Sequence, residues 1–204
     1  MTLADGQGQR VVLATGYMAG ASSATALQTW LAEAGYDVVV ADLRRNVSTS
    51  TSATERIIVA LEHGGSPSIL IGHSRGGQQC RVATQRHPEL VSQLITLAAP
   101  VRAHLPRQIL LRASVETLRI LSYLPIGPND DRDADALYEA DLLSPFGVDV
   151  PWTSIWSKSD GVVEWQACLD ESATPCEVRC SHIGMLASVP SFRGIADVLE
   201  NREP

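Results

Sequence analysis

The sequence has few aromatic residues, no basic cluster and no long apolar run. Phenylalanine, tryptophan and tyrosine make up only 5% of the 204 residues, so a core has to be built mainly from valine, leucine, isoleucine and alanine. Lysine and arginine total 16 against 23 aspartate and glutamate residues, which gives a net charge of −7, and no more than two basic residues are adjacent. This charge balance argues against nucleic acid or an anionic membrane surface as a partner.

The apolar runs are shorter than the roughly 18 residues that a membrane span needs. The first ten residues, MTLADGQGQR, contain an acid and no apolar stretch, unlike a secretory signal peptide. These two absences predict no stable membrane insertion and a cytoplasmic location. The length suits a single domain with a sizeable core.

The four cysteines form no C-x-x-C pair. In a reducing compartment we expect Cys80, Cys168, Cys176 and Cys180 to be free thiols. A Cys168–Cys176 disulfide is the alternative if the protein is exported or oxidised. The spacing of Cys176, Cys180 and His182 fits no standard zinc pattern, so we expect no metal.

Short apolar strands alternate with helical patterns along most of the chain. The predicted strands are residues 11–15, 38–41, 68–71, 94–97, 152–156 and 178–180. The predicted helices are residues 22–34, 53–63, 76–85 and 191–199. Strands without polar alternation, separated by helices, are typical of a parallel sheet covered on both faces. We therefore predict one α/β domain over residues 1–204, with a six-stranded, mainly parallel sheet.

Residues from about 101 to 149 interrupt this alternation. They contain an amphipathic helical pattern at 109–124, the turn PIGPNDD at 125–131, and an acidic helical pattern at 133–143. About fifty residues without a strand pattern, inserted late in an α/β sheet, predict a helical cap over one end of it. Such a cap would shape any pocket beneath it.

The segment SILIGHSRGGQQC at residues 68–80 has the pattern of an exposed nucleophile. Gly72-His-Ser-Arg-Gly76 matches G-x-S-x-G between a predicted buried strand and a predicted helix. Ser74 would lie on a sharp turn with glycine on both sides, and the helix N-terminus would stabilise negative charge beside it. A tight packing turn is the alternative interpretation of the same residues.

A serine nucleophile needs a base, and the base needs an acid to orient it. In folds with this turn the chain order is serine, then acid, then histidine. Of the five histidines, only His182 follows the last predicted strands, in a loop before the final helix. Asp160 follows the predicted strand at 152–156, and Glu164 and Asp170 are rival acids.

Acyl transfer also needs hydrogen-bond donors for an oxyanion. One expected donor is the backbone N–H of Arg75, the residue after Ser74. The other should come from the loop TGYMAG at residues 15–20, where Tyr17 is favoured over Met18. The Met18 side chain could line the acyl pocket, and the Arg75 guanidinium could either attract an anionic substrate or make structural contacts.

Three segments resemble the α/β-hydrolase superfamily, and small bacterial serine esterases and lipases in particular. GHSRGG looks like the nucleophile elbow, WSKSDGVV like the acid turn and SHIGML like the histidine loop. The resemblance implies a compact α/β-hydrolase fold with Ser74 as nucleophile, Asp160 as acid and His182 as base, and neither metal nor organic cofactor. Two features depart from the family pattern: Thr15-Gly16 replaces a frequent His-Gly, and the usual early antiparallel strands are missing.

Together these residues predict a serine carboxylic-ester hydrolase, esterase or lipase-like, that acts on a small-molecule acyl ester. The size of the predicted cap favours an esterase with a covered pocket over a lipase with an open site. The alternatives are an acyltransferase or thioesterase with the same triad, and a non-catalytic ligand-binding member of the fold. Neither acyl-chain length nor oligomeric state is predicted.

Overall fold

A computed structural model of the chain describes residues 3–101 and 132–200, and six strands in these residues form one parallel sheet. The strands are β1 (Arg10–Ala14), β2 (Asp37–Val40), β3 (Ser68–His73), β4 (Val91–Leu97), β5 (Trp152–Trp156) and β6 (Thr174–Glu177). The α-helices of the same residues are α1 (Thr25–Glu33), α2 (Ser50–Glu62), α3 (Arg75–Arg86), α4 (Arg132–Leu143) and α5 (Val189–Glu200). The strand order is β2-β1-β3-β4-β5-β6.

Alternate residues of the strands pack on opposite faces of the sheet. On β1, Val11 and Leu13 belong to an apolar cluster shared with α1 and α5, whereas Val12 and Ala14 belong to a cluster shared with α2 and α3. The central strand β3 is buried along its whole length. Helices therefore cover both faces, which explains why the strands show no polar alternation. The predicted fold class is confirmed.

Successive strands are added to one side of β1 as far as β2 and to the other side of β1 from β3 onward. β1 pairs with β2 on one side and with β3 on the other, and the strands from β3 onward continue away from β2. In open parallel sheets, ligands bind at the carboxyl ends of the strands where such a change of side opens a crevice. Residues 15–20 and Ser74 follow β1 and β3 at this end of the sheet.

The last strand lies elsewhere than predicted. β6 is Thr174–Glu177 rather than residues 178–180, and it is a short, largely exposed edge strand without an apolar run. Val178 still donates its N–H to the carbonyl of Trp156, but the side chains of Val178 and Cys180 pack against the cluster of α1 and α5. This packing, and not a strand, explains the apolar pattern that misled the prediction.

The helices do not begin where the sequence predicts. Helix α1 begins at Thr25, later than the predicted residue 22, because a 3₁₀ turn, Ala21–Ala24, precedes it. Helix α2 starts at Ser50 because the hydroxyl of Thr49 accepts a hydrogen bond from the N–H of Ser52 and so caps the first turn. No helix of the described residues is long and apolar enough to cross a membrane.

Part of the predicted cap lies outside the described residues. The predicted helix at 109–124 and the turn at 125–131 fall there, so the extent of the cap stays a prediction. The predicted acidic helix at 133–143 corresponds to α4, which packs against α2 and α3. Asp135 of α4 also accepts hydrogen bonds from the backbone N–H and the hydroxyl of Thr51, at 3.2 and 3.0 Å, so its carboxylate lies at the positive end of α2.

Arg81 of α3 fixes the end of α4. Its side chain is 1% exposed, and its guanidinium donates to the carbonyls of Asp141, Leu142 and Ser144 at 3.1, 2.9 and 2.6 Å. It also lies over two aromatic rings. Because the last carbonyls of a helix have no partner within it, a buried arginine from the neighbouring helix provides the C-terminal cap of α4.

We expect Arg81→Met to lower the free energy of unfolding by about 2–4 kcal/mol, since several buried carbonyl oxygens would lose their donor. The matched control is Arg56→Met, because Arg56 is partly exposed and lies 3.7 Å from the exposed Asp42; it should cost less than about 1 kcal/mol. Urea unfolding of the three proteins measures both values. Equal losses for the two variants would contradict the assigned role of Arg81.

Candidate active site

Ser74 lies in a strained turn between β3 and α3. Its backbone has φ 53° and ψ −125°, a conformation that residues with side chains rarely adopt. The turn needs glycine on both sides: a Cβ on Gly72 would lie 2.5 Å from Gly77 Cα, and a Cβ on Gly76 would lie 2.6 Å from the carbonyl oxygen of Thr15. The Ser74 side chain remains partly exposed, so the turn presents a hydroxyl at the crevice.

Asp160 and His182 are joined by a hydrogen bond. His182 Nδ1 lies 2.8 Å from Asp160 Oδ2, and both residues are buried. Because a carboxylate can only accept, Nδ1 of the neutral imidazole carries the proton and Nε2 keeps its electron pair. His182 is therefore in the tautomer that a general base requires.

The turn that contains Asp160 keeps this residue ionised. Asp160 Oδ1 accepts the N–H groups of Val162 and Val163 at 2.8 and 2.6 Å. Burial raises the pKa of Asp160, but the hydrogen bond and charge of His182, together with these two N–H groups, outweigh it. The pKa consequently lies below its ordinary value, and the carboxylate faces His182 as a charge at neutral pH.

The two rival acids lie in other environments. Glu164 is exposed. A carboxylate oxygen of Asp170 lies 4.0 Å from the guanidinium of Arg81. Of the three acids that the sequence offered, Asp160 is the one hydrogen-bonded to His182.

The histidine loop meets the serine turn through His73, the residue before Ser74. The rings of His73 and His182 have centroids 4.7 Å apart, and His73 Nε2 lies 3.0 Å from the carbonyl oxygen of His182. Across residues 3–101 and 132–200, no hydrogen bond joins the Ser74 hydroxyl to His182. Nucleophile–base contacts are often long before substrate binds and shorten afterwards.

The candidate oxyanion loop, residues 15–20, lies against Ser74. A Cβ on Gly16 would lie 3.0 Å from Ser74 Cβ. The Thr15 hydroxyl donates to the carbonyl of Ala19 at 2.9 Å, and the Ala19 N–H donates to the carbonyl of Gly16 at 3.2 Å. Thr15, which departs from the family's frequent histidine, therefore closes the loop on itself.

The three residues predicted to bind substrate or oxyanion lie around this loop. Tyr17 and Met18 are within it, and Met18 is 52% exposed with a positive φ of 58°. Arg75 opens α3, so its N–H has no acceptor within the helix. That the Tyr17 and Arg75 N–H groups hold an oxyanion stays a prediction.

The Arg75 guanidinium makes structural contacts. It donates to the carbonyls of Asn46 and Ser48 at 2.6 and 2.8 Å and to the hydroxyl of Ser50 at 3.1 Å. It also lies 5.9 Å from the centre of the Tyr17 ring. Of the two roles that the sequence left open for this side chain, these contacts favour the structural one.

A buried amide pair, which the sequence did not predict, lies beside the candidate oxyanion loop. Asn46 and Gln79 are fully buried and exchange two side-chain hydrogen bonds of 2.9 and 3.0 Å, and Asn46 also donates to the Thr15 carbonyl at 2.8 Å. Asn46 ends a run of three residues with positive φ, after Arg44 and Arg45. Arginine rarely adopts this conformation and asparagine is the one of the two residue types that favours it, so the two arginines before Asn46 do not indicate such a turn.

Burial raises the pKa of all four cysteine thiols. All four are free thiols in the structure. Burial raises the pKa of Cys80, and burial followed by the charge of Asp160 raises the pKa of Cys168 to about 12. Thiols with raised pKa values stay protonated and unreactive at neutral pH.

Comparison with known proteins assigns the family. Residues 9–119, more than half of the chain, match the family model described as alpha/beta hydrolase fold. The chain belongs to this family. No curated protein sequence matches this alpha/beta hydrolase significantly.

Solved structures of other alpha/beta hydrolases are similar in fold but distant in sequence. Bacillus licheniformis lipase BlEst2 has 16% identity and a TM-score of 0.69, with 96% of this chain and 94% of that chain covered. A structure of the metagenome-derived lipolytic enzymes LipS and LipT has 17% identity and a TM-score of 0.69, with coverage of 97% and 95%. The thioesterase domain from the curacin biosynthetic pathway has 16% identity and a TM-score of 0.64, with coverage of 96% and 92%. At these identities the likeness shows the fold.

The buried His73, next to Ser74, makes the free energy of unfolding depend on pH. The residue is 5% exposed, and burial, followed by the neighbouring His182, lowers its pKa to about 3. In the unfolded chain a histidine has a pKa of about 6.5. Between these values the unfolded state binds the additional proton, so the free energy of unfolding falls as the pH falls.

We expect His73→Gln to flatten this dependence, because glutamine does not titrate. Between pH 6 and 4 the wild type should lose up to about 1.4 kcal/mol per pH unit more than the variant. Urea unfolding of both proteins at several pH values measures the difference. Parallel curves would contradict a neutral, buried His73.

Proposed function

We propose that this alpha/beta hydrolase is a serine carboxylic-ester hydrolase, esterase or lipase-like, that acts through an acyl-enzyme on Ser74. The observation that carries the proposal is the buried Asp160–His182 hydrogen bond, which leaves His182 Nε2 with an electron pair, at the same end of the sheet as the strained Ser74 turn. A packing turn would need neither the strained serine nor the adjacent acid–base pair.

In the proposed first half-reaction, the Ser74 hydroxyl oxygen attacks the ester carbonyl carbon while His182 Nε2 takes the hydroxyl proton. Asp160 keeps the imidazole oriented and stabilises its positive charge without taking the proton. The N–H groups of Tyr17 and Arg75 are the proposed donors to the oxyanion. When the tetrahedral intermediate collapses, the bond to the alcohol oxygen breaks and His182 donates its proton to the leaving alkoxide.

In the second half-reaction, water attacks the acyl group on Ser74. His182 takes a proton from the water and returns one to the Ser74 oxygen as the carboxylic acid leaves. Met18 and Ile183, which are 52% and 79% exposed, flank the loop and the base, so an apolar acyl group would find contacts there. A small-molecule acyl ester as the substrate and a cytoplasmic location stay predictions.

A thioesterase is the second candidate, because the thioesterase domain of the curacin pathway shares the fold over nearly the whole chain. The same residues would cleave an acyl thioester, with a thiolate as the leaving group. A thiolate leaves with less need of protonation by an acid than an alkoxide does. A thioesterase would therefore show a much larger ratio of thioester to ester turnover than an esterase.

The test of the nucleophile is hydrolysis of p-nitrophenyl esters from acetate to palmitate by wild type and Ser74→Ala. We expect the variant to lose at least about 10⁴-fold in kcat, and a fluorophosphonate to label Ser74 of the wild type, as located by mass spectrometry. Acyl thioesters of the same chain lengths, assayed for released thiol, separate the two hydrolase candidates. Wild-type turnover in Ser74→Ala would remove Ser74 from the mechanism, and a folded wild type that neither turns over nor is labelled would favour a binding protein.

The amide pair beside the oxyanion loop gives a second test. Asn46→Asp keeps the shape of the side chain but replaces its donor by a carboxylate oxygen facing the Thr15 carbonyl, so the loop should lose its fixed position. We expect kcat to fall by about 10- to 100-fold with a small change in KM, because the proposed oxyanion donor that this loop positions binds its acceptor in the transition state. Steady-state kinetics with the preferred ester measure both.

Thr84→Val is the control for this variant, since it removes a buried hydroxyl further along α3 without touching the loop. It should lower stability and leave kcat near the wild-type value. An Asn46→Asp variant with wild-type kcat would show that the pair supports the fold alone.

A further inference from the structure

The His73 side chain makes one hydrogen bond through Nε2, whereas its other ring nitrogen, Nδ1, makes none with the described residues. Nε2 lies 3.0 Å from the carbonyl oxygen of His182. A carbonyl can only accept, so Nε2 carries the proton and Nδ1 of the neutral ring keeps an electron pair. Nδ1 is buried and has no hydrogen-bond partner in the described part of the chain; a Cβ on Gly16 would lie 3.1 Å from it.

The buried Nδ1 of His73, which has no hydrogen-bond partner among the described residues, makes the fold less stable. A buried polar atom without a partner lowers the free energy of unfolding, and the other residues of β3 are buried too. Leucine or phenylalanine would fill the same space without an unused nitrogen. What histidine adds at position 73 is the hydrogen bond to His182.

That bond is one of several that fix the backbone and ring of His182. Two come from Asp160: its carbonyl accepts the His182 N–H at 3.0 Å, and its carboxylate accepts Nδ1–H at 2.8 Å. The His182 carbonyl accepts the N–H of Met185 at 3.3 Å as well as Nε2–H of His73. Asp160 and Met185 belong to the loops after β5 and β6, whereas His73 adjoins the nucleophile, so its bond connects the histidine loop to the Ser74 turn.

We propose that His73 is a positioning residue, which sets the distance between the candidate base and Ser74 by holding the His182 carbonyl. The inference rests on the proposed function, because the distance matters only if His182 takes the proton of Ser74. His73 itself transfers no proton, since its one bond is to a backbone oxygen. Misplacement of a catalytic group by about 1 Å can cost about 100-fold in rate, which makes a bond at this point consequential.

The test compares His73→Gln with His73→Asn. The amide nitrogen of glutamine can take the place of Nε2 and donate to the His182 carbonyl, whereas asparagine is one carbon shorter and cannot reach it. We expect glutamine to keep kcat within about threefold and asparagine to lose about 10- to 100-fold, with KM changed less than about twofold in both. The rate of Ser74 labelling by a fluorophosphonate should follow kcat.

His73→Phe separates positioning from stability. Phenylalanine fills the site and removes the unused nitrogen, so we expect its thermal unfolding midpoint to equal or exceed that of the wild type while its kcat falls as in His73→Asn. A stable but slow His73→Phe, with rescue by glutamine, supports the inference. Wild-type kcat in His73→Asn or His73→Phe overturns it, as does an equal loss in His73→Gln and His73→Asn when both are folded.

Failure of the proposed function gives a different result. A wild type without ester or thioester turnover and without labelling at Ser74 would remove the function and, with it, the role of His73. An active, labelled wild type whose His73 variants are all equally active would remove the role of His73 alone.

Discussion

The close approach of α3 to the carboxyl end of β1 is the constraint on which the candidate site depends. At Gly76 the helix comes so near the carbonyl of Thr15 that any side chain would collide with it. This contact brings the loop at residues 15–20, the strained Ser74 and the first N–H groups of α3 together at one point of the sheet. The glycines of the G-x-S-x-G pattern are therefore a packing requirement, and the exposed serine is its consequence.

The sequence predicted those parts of the fold that follow from local sterics and burial. Strands buried on both faces appear as apolar runs, and glycines around a serine mark a turn wherever they occur. It missed β6, because an exposed edge strand has no apolar run, and it missed the Asn46–Gln79 pair, because amides are ordinary surface residues and their contact joins distant parts of the chain. For the site, order along the chain predicted which acid would meet His182, but the catalytic roles of Ser74, Asp160 and His182 stay predictions.

Buried polar side chains carry much of the tertiary organisation around the site. Asn46, Gln79 and Arg75 connect the loop after β2 to α3 and to the loop at residues 15–20, and Arg81 connects α3 to the end of α4. Asn46, Arg75 and Arg81 donate to backbone carbonyls that regular secondary structure leaves open, and Gln79 holds the Asn46 amide in place. Polar groups in such positions specify one arrangement, since any displacement leaves a buried donor or acceptor without a partner.

The double connection between Asp160 and His182 has a mechanical consequence. Because the backbone carbonyl and the carboxylate of Asp160 both bind His182, the two residues form a rigid couple on the β5–β6 side of the sheet. Shear between that side and β3 would move the couple as a whole, leaving its internal bond length unchanged. Such motion would strain the hydrogen bond from His73 to the His182 carbonyl, which joins the couple to the Ser74 turn, so this one bond limits how far the gap between His182 and Ser74 can open.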